Sequence, residues 1–421
     1  MKKLIAMALV LVTVLSMAAC GGGGETGATE PTKKKDNYNY PVVKEPVTWE
    51  QIEAFPMKSA DMTTQEMRQL CVDFFRFSKL IPYTPNASSE YEKNPSGTIE
   101  NMYQGVLYRG VPYVNSGGGT GNVYRFMNYY DSETGILDME RMKTNMSWLG
   151  NHCSSGALCG WGRVINSANY GTTNNMVQFK GFLRVGPYKY DDMMQTFDKG
   201  QLTGEICKAN GTDVMFESYA QLHLADGMVN YSSGGGHVIM ASSEPTVVYT
   251  ADGKIDGNLS YINIIEQHQQ FQEVKDDDGT TYLMEKCVDD KRTFLDLYDS
   301  SYLPFTFAEF LGTNPVEETE VSFSHTGDTI TVDELFTGVV TANYGICENY
   351  AVVKNKKGEE VYRHFVGMRN IYDTELRMQK DGEWVDTWGT LDVSKGDYTV
   401  EVQVRLYTGE LLTAYTGKLV P

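Results

Sequence analysis

The 421-residue sequence predicts an α+β protein that ends in a β-sandwich of roughly 100 residues. Three observations carry this. "TTQEMRQLCVDFFRFSKLIPYTP" begins with a cap-like Thr/Gln/Glu cluster, keeps apolar residues at helical spacing and stops at Pro82, so it reads as an amphipathic helix. "AQLHLADGMVNYSSGGGHVIMASS" and "TVVYTADGKIDGNLSYINIIEQHQQFQEV" give strands separated by glycine turns. From about residue 318 onward the chain changes to short alternating runs with turn residues between them, among them "TITVDELFTGVVTA" and "GDYTVEVQVRLYTGELLTAYTG".

Taken in order, the chain opens on "MKKLIAMALVLVTVLSMAAC": two lysines, an apolar run, then small residues before Cys20. This is the pattern of a secretory signal, too short and too poorly flanked to be kept as a membrane span. "GGGGETGATEPTKKKDN" follows without any apolar period and reads as a flexible tether. The expected organisation is therefore a signal over 1–20, a tether over 21–48, a first folded domain over 49–315 and the sandwich over 316–421. "NMYQGVLYRGVPYVNSGGGTGN" is a short extended piece running into a glycine loop, and "DMERMKTNMSWLGNH" is helical up to Gly150. "CSSGALCGWGRVINSA" forms a second helix whose first turn holds Cys153, with Trp161 and Val164 on its buried face. "KDDDGTT" is a hairpin turn; it lacks the alternating acids of a calcium loop.

Charge and cysteine usage narrow the function. The formal net charge of −19 argues against a nucleic-acid partner, which demands a basic face. The seven cysteines are scattered, and no CxxC pair or HExxH run is present, so no zinc site or other cofactor is expected. A cysteine acts as a nucleophile in its thiolate form, which a helix N-terminus and a nearby imidazole both favour. Cys153 meets the first condition. Cys159 would lie roughly 9 Å further along the same helix by its rise, where the dipole helps little. His237 opens an apolar strand after a glycine run and is the informative histidine. In "YINIIEQHQ", alternation places Ile262, Ile264, Glu266 and His268 on one face, and a polar pair ending a buried face suits the orientation of an imidazole.

These residues resemble known families. Ala18–Ala19–Cys20 resembles a bacterial lipoprotein signal, which implies that Cys20 is acylated and holds the protein on the outer face of the cell membrane, an extracytoplasmic location. Cysteine at a helix start, "GHV" on a strand and a polar residue on the next resembles the NlpC-type and CHAP-type papain-like peptidases of bacterial cell walls. "GVPYVNSGGG" is similar to the Gly-x-Pro-Tyr segment before the NlpC-type nucleophile, "HCSSG" to its Asp-Cys-Ser-Gly start, and "AQLHLADGMVNY" to the Leu-x-x-Gly-Asp strand before the histidine. "IIEQHQ" resembles the Glu-x-Asn ending of CHAP domains, and "CGWGRVIN" the CHAP start, which keeps Cys159 open as a rival nucleophile. "GDYTVEVQVRL" looks like the final strands of an immunoglobulin-like module.

The resemblance implies a papain-like cysteine peptidase or amidase acting on peptidoglycan peptides. Cys153 would be the nucleophile, His237 the base, His268 or Glu266 the third member, and Tyr113 and Ser154 would line the substrate. A noncatalytic wall-peptide-binding protein and a thiol acyltransferase on the same fold are the alternatives. The pattern departs from the family's in three places: His152 stands where Asp is usual, about forty residues separate Tyr113 from Cys153, and "LADG" replaces the usual order.

Overall fold

The computed structural model describes residues 45–88, 102–113, 122–139, 150–166, 173, 182–189, 203–232, 235–268, 271–285, 288–367, 375–378 and 391–421. Cys20, the tether up to residue 44 and the helix expected before Gly150 lie outside the described residues. Asn37–Pro421 forms one compact unit of mixed α+β architecture. Its first helices are α1 (Trp49–Glu53), α2 (Thr64–Ser78), α3 (Val123–Asn128) and α4 (Cys153–Trp161). The capping cluster expected at the start of α2 is a complete capping box. Thr63 Oγ1 accepts the Glu66 N–H at 3.2 Å, and the Glu66 carboxylate accepts the Thr63 N–H at 2.8 Å. Loss of such a cap costs about 1 kcal/mol.

Among the described residues, one sheet runs β3–β1–β2–β9–β8, formed by β1 (Pro82–Pro85), β2 (Tyr108–Arg109), β3 (Ile136–Leu137), β8 (Phe271–Lys275) and β9 (Thr281–Glu285). "KDDDGTT" closes the β8–β9 hairpin as expected. The larger sheet runs β10–β7–β6–β5–β11–β4. Its strands are β4 (Leu183–Arg184), β5 (Gly227–Ser232), β6 (Gly235–Ala241), β7 (Tyr261–Ile265), β10 (Val288–Thr293) and β11 (Leu303–Thr306). Strands β5 and β6 are the expected antiparallel pair around the glycine turn, with Asn230 opposite His237.

The C-terminal part holds two further sheets. One is β12–β14–β17 (Val321–Phe323, Val339–Ala342, Glu375–Arg377). The other is β13–β19–β18–β15–β16, with β13 (Thr329–Thr331), β15 (Ile346–Lys354), β16 (Glu360–Gly367), β18 (Tyr398–Leu406) and β19 (Leu411–Val420). Two apolar cores result. One lies within Phe323–Leu419; the other extends from Val47 to Phe310 and also takes in Cys347, Tyr350, Val352, Phe365 and Tyr407. Polar ties reinforce this junction. Asn128 Nδ2 donates to both oxygens of the buried Glu348, and Arg405 bonds Glu53 at 2.8 Å.

Helix α4 sits at the centre of the first core. Its sequence, CSSGALCGW, has no charged face, and every residue is buried, as a helix without a polar stripe requires. Two glycines let neighbours approach closely. A Cβ at Gly160 would stand 2.6 Å from the Cys71 carbonyl oxygen of α2, and one at Gly156 would stand 2.6 Å from Gln267 Cβ. Trp161 donates its indole N–H to the Ala225 carbonyl at 2.7 Å and packs edge-on against Phe305 and Phe307. Trp161 and Val164 are both buried, as their spacing predicts.

Candidate active site

The N-terminus of α4 brings the predicted residues together. His152 is the N-cap: its Nδ1 accepts the Ser155 N–H at 3.2 Å, and the Ser155 hydroxyl accepts the His152 N–H at 2.9 Å. The next N–H, of Gly156, goes to the His152 carbonyl. Among the described residues, this leaves the Cys153 and Ser154 N–H groups as the open donors of the first turn. The Cys153 thiol is 8 % exposed and lies 3.9 Å from the Gly236 carbonyl oxygen, on the strand that carries His237. Ser154 is buried, its hydroxyl 2.9 Å from His152 Nδ1, so its side chain faces the cap.

His237 stands at the start of β6 because Asn230 on β5 fixes its backbone: Asn230 Oδ1 accepts the His237 N–H at 2.8 Å. The ring is 24 % exposed, and its Nε2 hydrogen-bonds Glu266 Oε2. Strand β7 ends at Ile265, and Glu266 follows it, 3 % exposed. Continued from Met240 opposite Ile265, the register puts Glu266 one diagonal step from His237, within reach of a carboxylate. Of the two candidates for the third position, Glu266 makes the bond. The His268 ring lies edge-on to His237 with centroids 6.2 Å apart.

The charges of this group support one another. Burial by itself pushes the Cys153 thiol up, but hydrogen bonding to His152 and His237 and the charge of His237 outweigh it and bring the thiol down to about 5. Burial lowers His237; the Glu266 carboxylate and the Cys153 sulfur more than reverse this and raise the imidazole to about 10. Glu266 is buried too, yet the His237 and Arg292 charges hold it below the usual carboxylate range. The two effects are mutual: the Cys153 sulfur and the His237 imidazole each favour the other's charged form. Cys159 is the opposite case. It is 1 % exposed, Asn151 Nδ2 lies 3.7 Å from its sulfur, and burial pushes it to about 12.

Tyr113 reaches the site despite the forty intervening residues. It pairs with Asn151 in a parallel bridge, and the Asn151 N–H donates to the Pro112 carbonyl at 2.9 Å, so Tyr113 is aligned two residues from Cys153. Two contributors were not singled out from the sequence. Arg292 on β10 holds Glu266 Oε1 at 3.0 Å with its side chain 37 % exposed. Gln267, fully buried, donates to the Val111 carbonyl at 2.9 Å and accepts from Lys79 at 3.2 Å while packing on Gly156. It thereby joins the segment leading to Tyr113, the Glu266 turn and α4. His152, noted in the sequence as standing where Asp is usual, serves as the N-cap of α4. No protein-family model matches this chain, and no curated protein does.

Proposed function

We propose that this protein is an extracytoplasmic cysteine peptidase or amidase, lipid-anchored through Cys20, that cleaves peptide bonds in peptidoglycan. In this reading the first part of the chain is a papain-like domain of NlpC type and the last part an immunoglobulin-like sandwich. The observation that carries the catalytic reading is the grouping of Cys153 at a helix start, His237 on the adjoining strand and Glu266 behind the imidazole. The wall substrate follows from the resemblance of "GVPYVNSGGG", "HCSSG" and the strand with His237 to cell-wall peptidases.

The Cys153 thiolate attacks the scissile carbonyl carbon, forming a C–S bond while the carbonyl oxygen takes up the negative charge. The open N–H groups of Cys153 and Ser154 are placed to receive that oxyanion. His237, as imidazolium, delivers its proton to the leaving amine nitrogen when the C–N bond breaks. The neutral imidazole then takes a proton from water, whose oxygen attacks the thioester and releases Cys153 as thiolate. Glu266 holds the ring in place and stabilises its charged form. The active form lies between about 5, below which Cys153 carries a proton, and about 10, above which His237 has lost one. kcat/KM is therefore expected to rise through the lower value and fall through the upper.

Mass spectrometry of purified peptidoglycan incubated with the protein lacking residues 1–36 tests this. New peptide fragments that vanish with Cys153→Ala and persist with Cys159→Ala support it, and their masses name the bond. An intact, folded protein that yields no fragments overturns hydrolysis in favour of binding or acyl transfer.

A further inference from the structure

We propose that Arg292 is a positioning residue for this site, holding one oxygen of the Glu266 carboxylate so that the other stays on His237. The proposal rests on the reading of Cys153, His237 and Glu266 as one catalytic group and extends that group by one side chain. Glu266 is 3 % exposed, and both of its oxygens are engaged. Oε2 is hydrogen-bonded to His237 Nε2, and Oε1 accepts from Arg292 Nη2 at 3.0 Å. A carboxylate buried in this way needs a donor at each oxygen to keep its charge and its orientation. Without the Arg292 donor, Oε1 loses its bond and the carboxylate is free to turn away from the imidazole. The guanidinium is anchored in its turn, since the same nitrogen lies 3.4 Å from Asp290 Oδ2.

The strand that carries Arg292 is shaped for this task. β10 pairs with β7 so that Val288 stands opposite Ile265 and Asp290 opposite Ile264, which leaves Asp289 as an extra residue, a β-bulge. Asp289 has φ +56°, in the left-handed region that Asp tolerates better than most side chains. Arg76 of α2 clamps it with two bonds, Nε to Oδ2 at 2.9 Å and Nη2 to Oδ1 at 2.8 Å, and bonds Asp73 at 3.0 Å through Nη1. In an unbulged ladder from the same Val288–Ile265 pair, Arg292 would fall opposite Tyr261. The bulge puts it opposite Ile262 instead, on the face that Ile264 and Glu266 continue. The charged and titratable groups around Glu266 are His237 from β6, His268 from its own segment, and Arg292 from β10, with Asp290 behind the guanidinium. Cys153, at the start of α4, lies against the strand that carries His237.

The test is the pH dependence of iodoacetamide alkylation at Cys153, read by peptide mass spectrometry on the protein lacking residues 1–36, with thermal midpoints alongside. Wild type, Arg292→Gln, Glu266→Gln and the double variant are compared. A residue that acts through Glu266 predicts that Arg292→Gln moves the profile up by about one pH unit, in the same direction as Glu266→Gln and by less. It also predicts that Arg292→Gln adds nothing once Glu266 is replaced. Arg292→Lys keeps a cation but not the planar fork and shifts the profile less than Gln does; read in the same two backgrounds, it decides the matter if the Gln protein fails to fold. An equal upward shift in both backgrounds means a charge acting through space and overturns the proposal. So does a downward shift, which means that Arg292 merely offsets the Glu266 charge, and so does an unchanged profile, whatever the thermal midpoint. A wild-type Cys153 that titrates like an ordinary thiol, near about 8.5, overturns instead the nucleophile reading beneath it.

Discussion

Cys153 and Cys159 occupy one nine-residue helix, separated by about 9 Å of rise, and their chemistry diverges completely. Cys153 sits in the first turn, where the backbone N–H groups are open, and hydrogen bonding to His152 and His237 with the charge of His237 brings it down to about 5. Cys159 lies beyond the reach of the dipole, in the first core beside Asn151, and rises to about 12. Both are buried, so burial is not what separates them. The difference is whether the folded chain supplies positive charge and N–H donors to a sulfur that loses its proton. A thiol becomes reactive through its neighbours, and in this helix the N-terminal end is where they are gathered.

The largest effect that can break this comparison is at Cys153 itself. Cys153→Ala is expected to remove all peptidoglycan cleavage and all rapid alkylation at neutral pH, with Cys159 unlabelled in the native protein. Native-state labelling followed by peptide mapping checks it, and preferential labelling of Cys159 would reverse the assignment. Next in size is Glu266→Gln. Without its carboxylate, His237 loses the main cause that raises it, so the upper arm of the pH–rate profile moves down from about 10. The Cys153 thiolate, held by that imidazolium, becomes less favourable, and the lower arm moves up. The active window narrows from both sides, and kcat/KM at neutral pH is expected to fall by about 10²-fold or more. A profile that keeps its upper arm in this variant would show that Glu266 does not govern His237.

A third variant asks whether the C-terminal part supports α4. Gly409, in the β18–β19 turn at φ +98°, has its missing Cβ 2.0 Å from Arg163 Nη1, and Arg163 stands just past the Gly162 C-cap of α4 and bonds the Tyr124 hydroxyl at 2.7 Å. Gly409→Ala introduces both an unfavourable backbone conformation and a clash with a buried cation, costing about 3 kcal/mol. The denaturant midpoint measures it. Because both cores meet at this junction, one transition at lower denaturant is expected, not the separate loss of the last hundred residues.

The sequence made some of this site legible and not the rest, for physical reasons. The start of α4 was readable because small polar residues after His152 lead into an apolar run, His237 because it opens an apolar strand after a glycine run, and Glu266 because a two-residue period assigns faces. The choice between Glu266 and His268 was not readable. It depends on the strand ending at Ile265 and on a diagonal step across β6 and β7. Arg292 and Gln267 were missed because their partners lie 26 and 156 residues away, and nothing local marks a side chain for a distant carboxylate or carbonyl. The pairing of Tyr113 with Asn151 was hidden for the same reason: a parallel bridge leaves no period in the sequence. The cores share side chains across residue 315 because the buried face of β15, with Cys347 and Tyr350, packs on the first part of the chain, while composition alone suggested a change of domain there.

The smallest expected effect is the sharpest control on the comparison. Cys159→Ala removes one buried sulfur and its long contacts to Asn151, at 3.7 and 4.0 Å, while the Asn151 N–H bond to Pro112 belongs to the backbone and stays. The cost is about 1 kcal/mol, the loss of a small apolar group from a closed core. The pH profile of Cys153 should not move, because its sulfur is governed by His152 and His237 at the other end of the helix. Thermal denaturation and Cys153 alkylation on the same sample read the two quantities together. A lowered midpoint with an unchanged profile keeps the thiols independent. A shifted profile would mean that the Asn151–Cys159 contact sets the position of the first turn, and the two cysteines would then have to be treated as one site.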